Sequence, residues 1–302
     1  MGMISDFVDG ILDSIKSFLL ESSEGNLSTA MNILTDGLQT NRSSNGVMQQ
    51  LLSTSPVNYT AGGSSSIWST IQSITENAVV PIAGCILMIV LINDLIQMVI
   101  SGNNFHEFDT SIFIRWILKC VIGIILISNV FYIASSIFSL GTWVTTKAMG
   151  ETSRMIFANN ANIHISGSYS MGTCFAVLVL SLFLLLIMVI AIAIIVVTLC
   201  SRMIEIFMYL GASPIPMATF MNQEWKQMGH NWLRGMIALA FQGFFIVVCI
   251  AIFSVLFTNV VVTLSSGSDV LLQMVFLIGY ALALIFTILR SGQISKSIFG
   301  AH

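Results

Sequence analysis

Asn93, Asp94 and Gln97 form the most pointed chemical group in the sequence: a carboxylate and two amides about one helical turn apart, inside the apolar run 78–100. A carboxylate within such a run can carry a proton or a cation, or be held in an ion pair. Asp94 lies only about 9 Å of helix from Ile100, within reach of water or of Arg115 or Lys119. An ion pair is the favoured expectation. A second polar set, Ser128, Tyr132, Ser135 and Ser139, recurs at helical spacing. Small and hydroxyl-bearing residues on one face of an apolar helix point to helix packing before they point to a pore. Arg202 and Glu205 are three apart and could pair. Gln242 and Gln273 are single amides suited to hydrogen bonds between helices.

Nothing in the sequence assembles a catalytic centre. His106, His164, His230 and His302 are scattered, and Cys85, Cys120, Cys174, Cys200 and Cys249 show no CxxC spacing. There is no P-loop, no nucleophile elbow and no HExxH. No enzymatic activity, metal or cofactor is expected.

The material around these groups decides the class. Hydrophobic residues make up 56% of the 302 residues and charged residues 8%, whereas soluble domains carry about 25% charge. Mean hydropathy is +0.91. A net charge of −3 without a run of Lys or Arg gives no nucleic-acid-binding surface. Five runs, 78–100, 120–140, 175–200, 236–264 and 270–289, are apolar and long enough to cross a bilayer. Only Ser265 to Asp269 separates the last two, which makes them an antiparallel hairpin. The expected fold class is an all-α polytopic membrane protein with about five transmembrane helices, N-terminal amphipathic helices outside and a cytoplasmic C-terminus.

That orientation comes from the basic residues. With five spans, Arg115, Lys119, Arg202, Lys226, Arg234, Arg290 and Lys296 share one side, against Lys16, Arg42, Lys147 and Arg154 on the other. The side richer in Lys and Arg is cytoplasmic.

The organisation is therefore an extracytoplasmic region 1–77 followed by a transmembrane domain 78–302. In the first region Ile4, Phe7, Val8, Ile11, Leu12, Ile15, Phe18 and Leu19 follow helical spacing, with Asp6, Asp9 and Asp13 on the polar side. An acidic amphipathic helix suits packing on protein better than on anionic lipid. Residues 22–66 read as short helices and loops, with Gly62-Gly63 as a hinge. Trp68 is placed near the headgroups. The central outer loop 141–172 is too long for a plain connector and is expected to have structure or a partner.

The stretch 201–235 carries the clearest hint of a mechanism. A helix continuing from the third span to Leu210 would be about 54 Å long and would project beyond the bilayer core. Gly211, Pro214 and Pro216 then read as a helix break. Met217, Met221, Trp225, Met228 and Trp232 recur every three or four residues, giving an amphipathic helix at the cytoplasmic face. It can anchor in the interface, dock a partner, or do both.

This layout resembles the polytopic inner-membrane channel subunit of type IV secretion and conjugation systems, the TrbL-type family of conjugal-transfer proteins. The local resemblance lies in LGASPIPMATF (210–220) and EWKQMGHNWLRGMIALAFQ (224–242). It implies a channel or scaffold subunit that supports transfer of DNA or protein across the bacterial cytoplasmic membrane. It also implies association with the system's ATPase and further membrane subunits, homo-oligomerisation within the lipid bilayer, and transient contact with transferred DNA. A permease subunit of a small-molecule transporter and a membrane anchor without transport are the alternatives.

Overall fold

The computed structural model describes residues 2–38, 47–59, 67–101, 110–158, 163–165, 169–265 and 269–301. Every regular element among them is helical. These elements are α1 (Gly2–Leu38), α2 (Val47–Ser53), a 3-10 turn (Pro56–Asn58), α3 (Ile67–Ile74), a π turn (Thr75–Val79), α4 (Val80–Ser101) and α5 (Thr110–Ala158). They are followed by α6 (Met171–Ala212), α7 (Pro214–Ala218), a second 3-10 turn (Thr219–Met221), α8 (Lys226–Ser265) and α9 (Val270–Ile298). Gly62-Gly63, residues 159–162 and the hairpin residues 266–268 lie outside the described residues.

Among the described residues, five helical stretches are long and apolar enough to cross a membrane: Ile67–Ile100, Phe113–Thr152, Met171–Ala212, Lys226–Leu264 and Val270–Ile298. Each contains one expected span and extends past it. An apolar run marks only the part that needs no polar partner, and the helix continues wherever packing supports it.

One expectation about loops is corrected. Residues 22–38 belong to the single helix α1 and are not short helices and loops. Its serines and threonines do not break it, because their hydroxyls bond back to the preceding turn: Ser23 Oγ to Leu19 O (2.8 Å) and Thr29 Oγ1 to Gly25 O (2.7 Å). The central loop, expected to have structure or a partner, is helical as far as Ala158. Gly141, Thr142, Thr145, Met149 and Thr152 form a buried face at helical spacing. Thr142 and Thr145 satisfy their hydroxyls on Phe138 O and Gly141 O. A buried face of threonines and glycine carries little hydropathy signal.

The chain divides into two compact units. Unit 1 comprises Met1–Leu52, Thr146–Leu199 and Phe244–Ser291. Its core is set by strict three-and-four spacing. Cys174, Val177, Ser181, Leu184, Met188, Ala191, Ile195 and Leu199 are the buried face of α6, and Met274, Leu277, Ala281, Leu284 and Ile288 that of α9. Spacing of three and four puts these residues on one apolar seam of each helix. The second half of α1 joins it through Ser23, Leu27 and Ala30. Asn26 Nδ2 donates to Ser181 Oγ (3.0 Å), and the Glu24 carboxylate accepts the Ile165 N–H (2.6 Å). Across the α8–α9 hairpin, Thr263 Oγ1 donates to Gln273 Oε1 (3.2 Å), the interhelical amide contact expected of Gln273. The first half of α1 does not pack in this way. Phe7, Ile11, Ile15 and Phe18 are exposed in the chain, so the packing on protein expected for this stripe is not found among the described residues.

Unit 2 comprises Ser53–Thr145, Cys200–Gly243 and Gly292–His302. It contains all of α4, most of α5 and the whole connection between α6 and α8.

A candidate functional site around the proline break

The break differs from the one the sequence suggests. α6 runs through Gly211 to Ala212, so Gly211 does not end it. Ser213 remains in the right-handed helical region (φ −53°, ψ −34°), and α7 begins at once with Pro214 in its first turn. Proline is tolerated there because the first-turn N–H groups have no intrahelical acceptor. The discontinuity is therefore one of hydrogen bonding. Ser213 N and Oγ both turn back to Leu210 O, at 3.2 and 2.6 Å.

The Met/Trp stripe is not one helix. Met217 lies in α7 and is buried, and Met221 lies in the 3-10 turn. Asn222 then takes an extended conformation (φ −112°, ψ 141°). Its side-chain Oδ1 accepts the Glu224 N–H (2.7 Å), and its carbonyl accepts the Lys226 N–H (3.0 Å). This local hydrogen bonding competes with helix continuation, as asparagine often does. Trp225 precedes α8, and Met228 and Trp232 lie in its first turns. Trp225 and Met228 are exposed (44% and 53%), while Trp232 is half-buried.

What the segment packs against was not legible in the sequence. Ala218 lies in a core cluster with Ala83, Leu87, Leu91 and Ile127, and Met221 packs on its edge. Gly123 makes room for this contact: a Cβ there would lie 3.0 Å from a Leu87 methyl and 3.1 Å from Met221 Cγ. The connection after the break thus lies against the apolar stretches of α4 and α5.

The intramembrane polar groups are only partly brought together. Lys119 Nζ donates to Asp94 Oδ2 at 2.7 Å, the ion pair expected of Asp94. Asn93 Nδ2 approaches Glu224 Oε2 at 3.5 Å, which ties α4 to the turn after the break. Trp116 Nε1 donates to Leu91 O (3.0 Å) one turn away. Gln97 is half-buried at the same end of α4. The serine face of α5 is divided. Ser128 and Tyr132 are exposed, whereas Ser135 is buried with its hydroxyl on Tyr132 O (2.8 Å). Ser139 meets Ser55 hydroxyl to hydroxyl (3.2 Å).

Arg202 does not pair with Glu205. It is buried, and Nε and Nη2 donate to Leu239 O and Ala240 O of α8, both at 3.1 Å. Two glycines make this possible. A Cβ on Gly243 would sit 3.0 Å from the guanidinium, and one on Gly141 would sit 2.5 Å from Ala240 O. Ser295 Oγ donates to the neighbouring Ala238 O. The i, i+3 spacing of Arg202 and Glu205 gave no hint of this node, since its acceptors are backbone atoms.

Beside the break, the Tyr59 ring meets Phe207 at a tilt (centroids 6.4 Å apart). Burial, and secondarily the Cys200 thiol, push the Tyr59 phenol above its ordinary pKa. Among the described residues, no three His, Cys, Asp or Glu side chains lie close enough to hold a metal ion.

A family model described as TrbL/VirB6 plasmid conjugal transfer like protein matches residues 42–214, more than half of the chain. The matched stretch ends at Pro214, so it covers the first three spans and stops before the 224–242 segment of the local resemblance. No curated protein and no solved structure matches the chain.

Proposed function

The chain belongs to the TrbL/VirB6 plasmid conjugal transfer family and is a multi-pass membrane component of a conjugal transfer or type IV secretion system, and from that premise we propose that it is the channel or scaffold subunit supporting passage of DNA or protein across the bacterial cytoplasmic membrane. The observation that carries this reading is the family match over 42–214. Several copies would surround a common path, and the transferred DNA would touch them only in transit. The proposed neighbours are the system's ATPase and its other membrane subunits. Trp225 and Met228, the outward-facing remainder of the stripe, are the proposed docking residues. Met217, Met221, Pro214 and Pro216 shape the turn that presents them.

The orientation is proposed from the lysines and arginines: N-terminus outside, C-terminus cytoplasmic. Cysteine substituted at Asp269 is then labelled in intact cells by an impermeant maleimide, and cysteine at Ser297 only after permeabilisation. The reverse pattern overturns the orientation.

The functional reading is tested by mating. In-frame removal of the coding sequence from its mobile element is expected to abolish transfer to a recipient, and supply of the gene in trans to restore it. Unimpaired transfer without the protein would exclude a conduit role.

A further inference from the structure

A cleft of about 540 Å³ opens in unit 2 between the segment running from α3 through the π turn and the last turns of α6. Its walls include Ile71, Ile74, Met203, Ile204, Phe207 and Gly211, and among the described residues no charged side chain lines it. Two backbone features form it. The π turn Thr75–Val79 widens the helix between α3 and α4, as such turns do. Gly211 presents no side chain, and a Cβ there would meet Ile71 and Thr75 only at ordinary contact distances of 3.7 and 3.8 Å. The π turn is tied by the Thr75 hydroxyl, which donates to Ile71 O (2.8 Å) and reaches Gly211 O (3.4 Å).

The cleft is of ligand size, yet it offers almost nothing to a soluble ligand. Among the described residues, Tyr59 and Cys200 are the lining residues with a hydroxyl or thiol. Three of its lining residues, Ile74, Ile204 and Met208, are exposed apolar side chains on helices apolar enough to span. Met203 and Met208 are flexible and polarizable, and can follow a mobile hydrocarbon. We propose that the cleft between the π turn and the end of α6 is a lipid site that holds one acyl chain of a bilayer phospholipid.

The test uses the full-length protein in vesicles of phosphatidylethanolamine and phosphatidylglycerol containing a phospholipid with a diazirine in its acyl chain. After illumination, adducts mapped by mass spectrometry are expected to concentrate on residues 71–74 and 203–208, well above those on the exposed Phe286 of α9. Gly211→Leu and, separately, Ile204→Trp fill the cleft and are expected to remove the cleft adducts while leaving those at Phe286. Using two variants keeps the test readable should one fail to fold, and the unsubstituted protein's adduct map stands independently. Adducts spread evenly over all exposed apolar faces overturn the proposal, as does their persistence in a folded filled variant. Efficient disulfide formation between copies carrying Ile204→Cys, with no cleft adducts, would assign the cleft to a second copy of the chain and equally overturn it.

Discussion

The Lys119 ammonium on α5 donates to the Asp94 carboxylate on α4 across 2.7 Å, but the two ends of this pair are not equally buried: 5% of the Asp94 side chain is exposed, against 33% of Lys119. Burial decides what each deletion leaves behind. Without Lys119, a carboxylate remains in an apolar environment with its cation gone. Without the Asp94 charge, the lysine stem can carry its head toward water.

Lys119→Met is accordingly expected to cost about 3–5 kcal/mol, as for a buried pair broken from one side. Asp94→Asn should cost about 1 kcal/mol or less. The double variant should recover most of the Lys119→Met loss. Denaturant titration of the purified protein in micelles reads all three. Equal losses for the two single variants would mean that Asp94 is solvated in the membrane-embedded protein.

Gly141 tests the packing of α5 on α8. A Cβ there would lie 2.5 Å from Ala240 O, and the obstacle is backbone. Gly141→Ala should destabilise by about 1–3 kcal/mol through overpacking. Gly84, in α4, faces open space, and a Cβ there would meet nothing within 4 Å. Gly84→Ala should be neutral or stabilise by up to about 1 kcal/mol through helix propensity. The same titration distinguishes them, and a harmless Gly141→Ala would show that α5 and α8 are not in van der Waals contact there.

The spans were legible because lipid imposes one rule on every residue of a crossing helix, so five apolar runs in the sequence reappear as five helices. Asp94 was legible for the same reason: a charge in such a run needs a partner, and few cations lie within reach. The rest depended on contacts that residue type does not encode. Met217 and Trp225 look alike in a periodic stripe, yet one is buried and the other exposed, because Asn222 bends the chain between them. The 141–158 helix was hidden because threonine hydroxyls satisfied by their own backbone bury as well as aliphatic groups do, while reading as polar. Arg202 was misassigned because its acceptors are the carbonyls of Leu239 and Ala240, which any sequence would supply.

Arg202 yields a prediction that runs against conservative substitution. Its planar fork reaches two adjacent carbonyls, and a lysine ammonium cannot span both in the same way. Arg202→Lys would keep a buried charge while losing part of its hydrogen bonding, at a cost of about 1.5–3 kcal/mol. Arg202→Met removes the charge with a side chain of similar reach, and the two carbonyls remain in the α8 helix. Replacing a buried charge by an apolar group is often neutral or stabilising. Arg202→Met is therefore expected to unfold at higher denaturant than Arg202→Lys. The opposite order would show that the charge itself is required at this position.

The two halves of the Met/Trp stripe should separate cleanly by assay. Met217 is buried and Met221 packs on the Ala83–Leu87–Ile127 cluster, so truncating Met217 to alanine should cost about 2–5 kcal/mol and lower the yield of folded protein. Trp225 and Met228 are exposed, and their truncation removes little internal packing. The Trp225→Ala/Met228→Ala double variant should insert normally and unfold within about 0.5 kcal/mol of the parent, as exposed substitutions do. Exposed aromatic and methionine side chains are favoured anchors at protein interfaces. Recovery of the transfer ATPase or another membrane subunit on the tagged protein should therefore fall in the double variant, and mating frequency with it. Undiminished recovery of every partner, with stability intact, would move the docking surface away from this turn and leave Trp225 and Met228 as contacts to lipid.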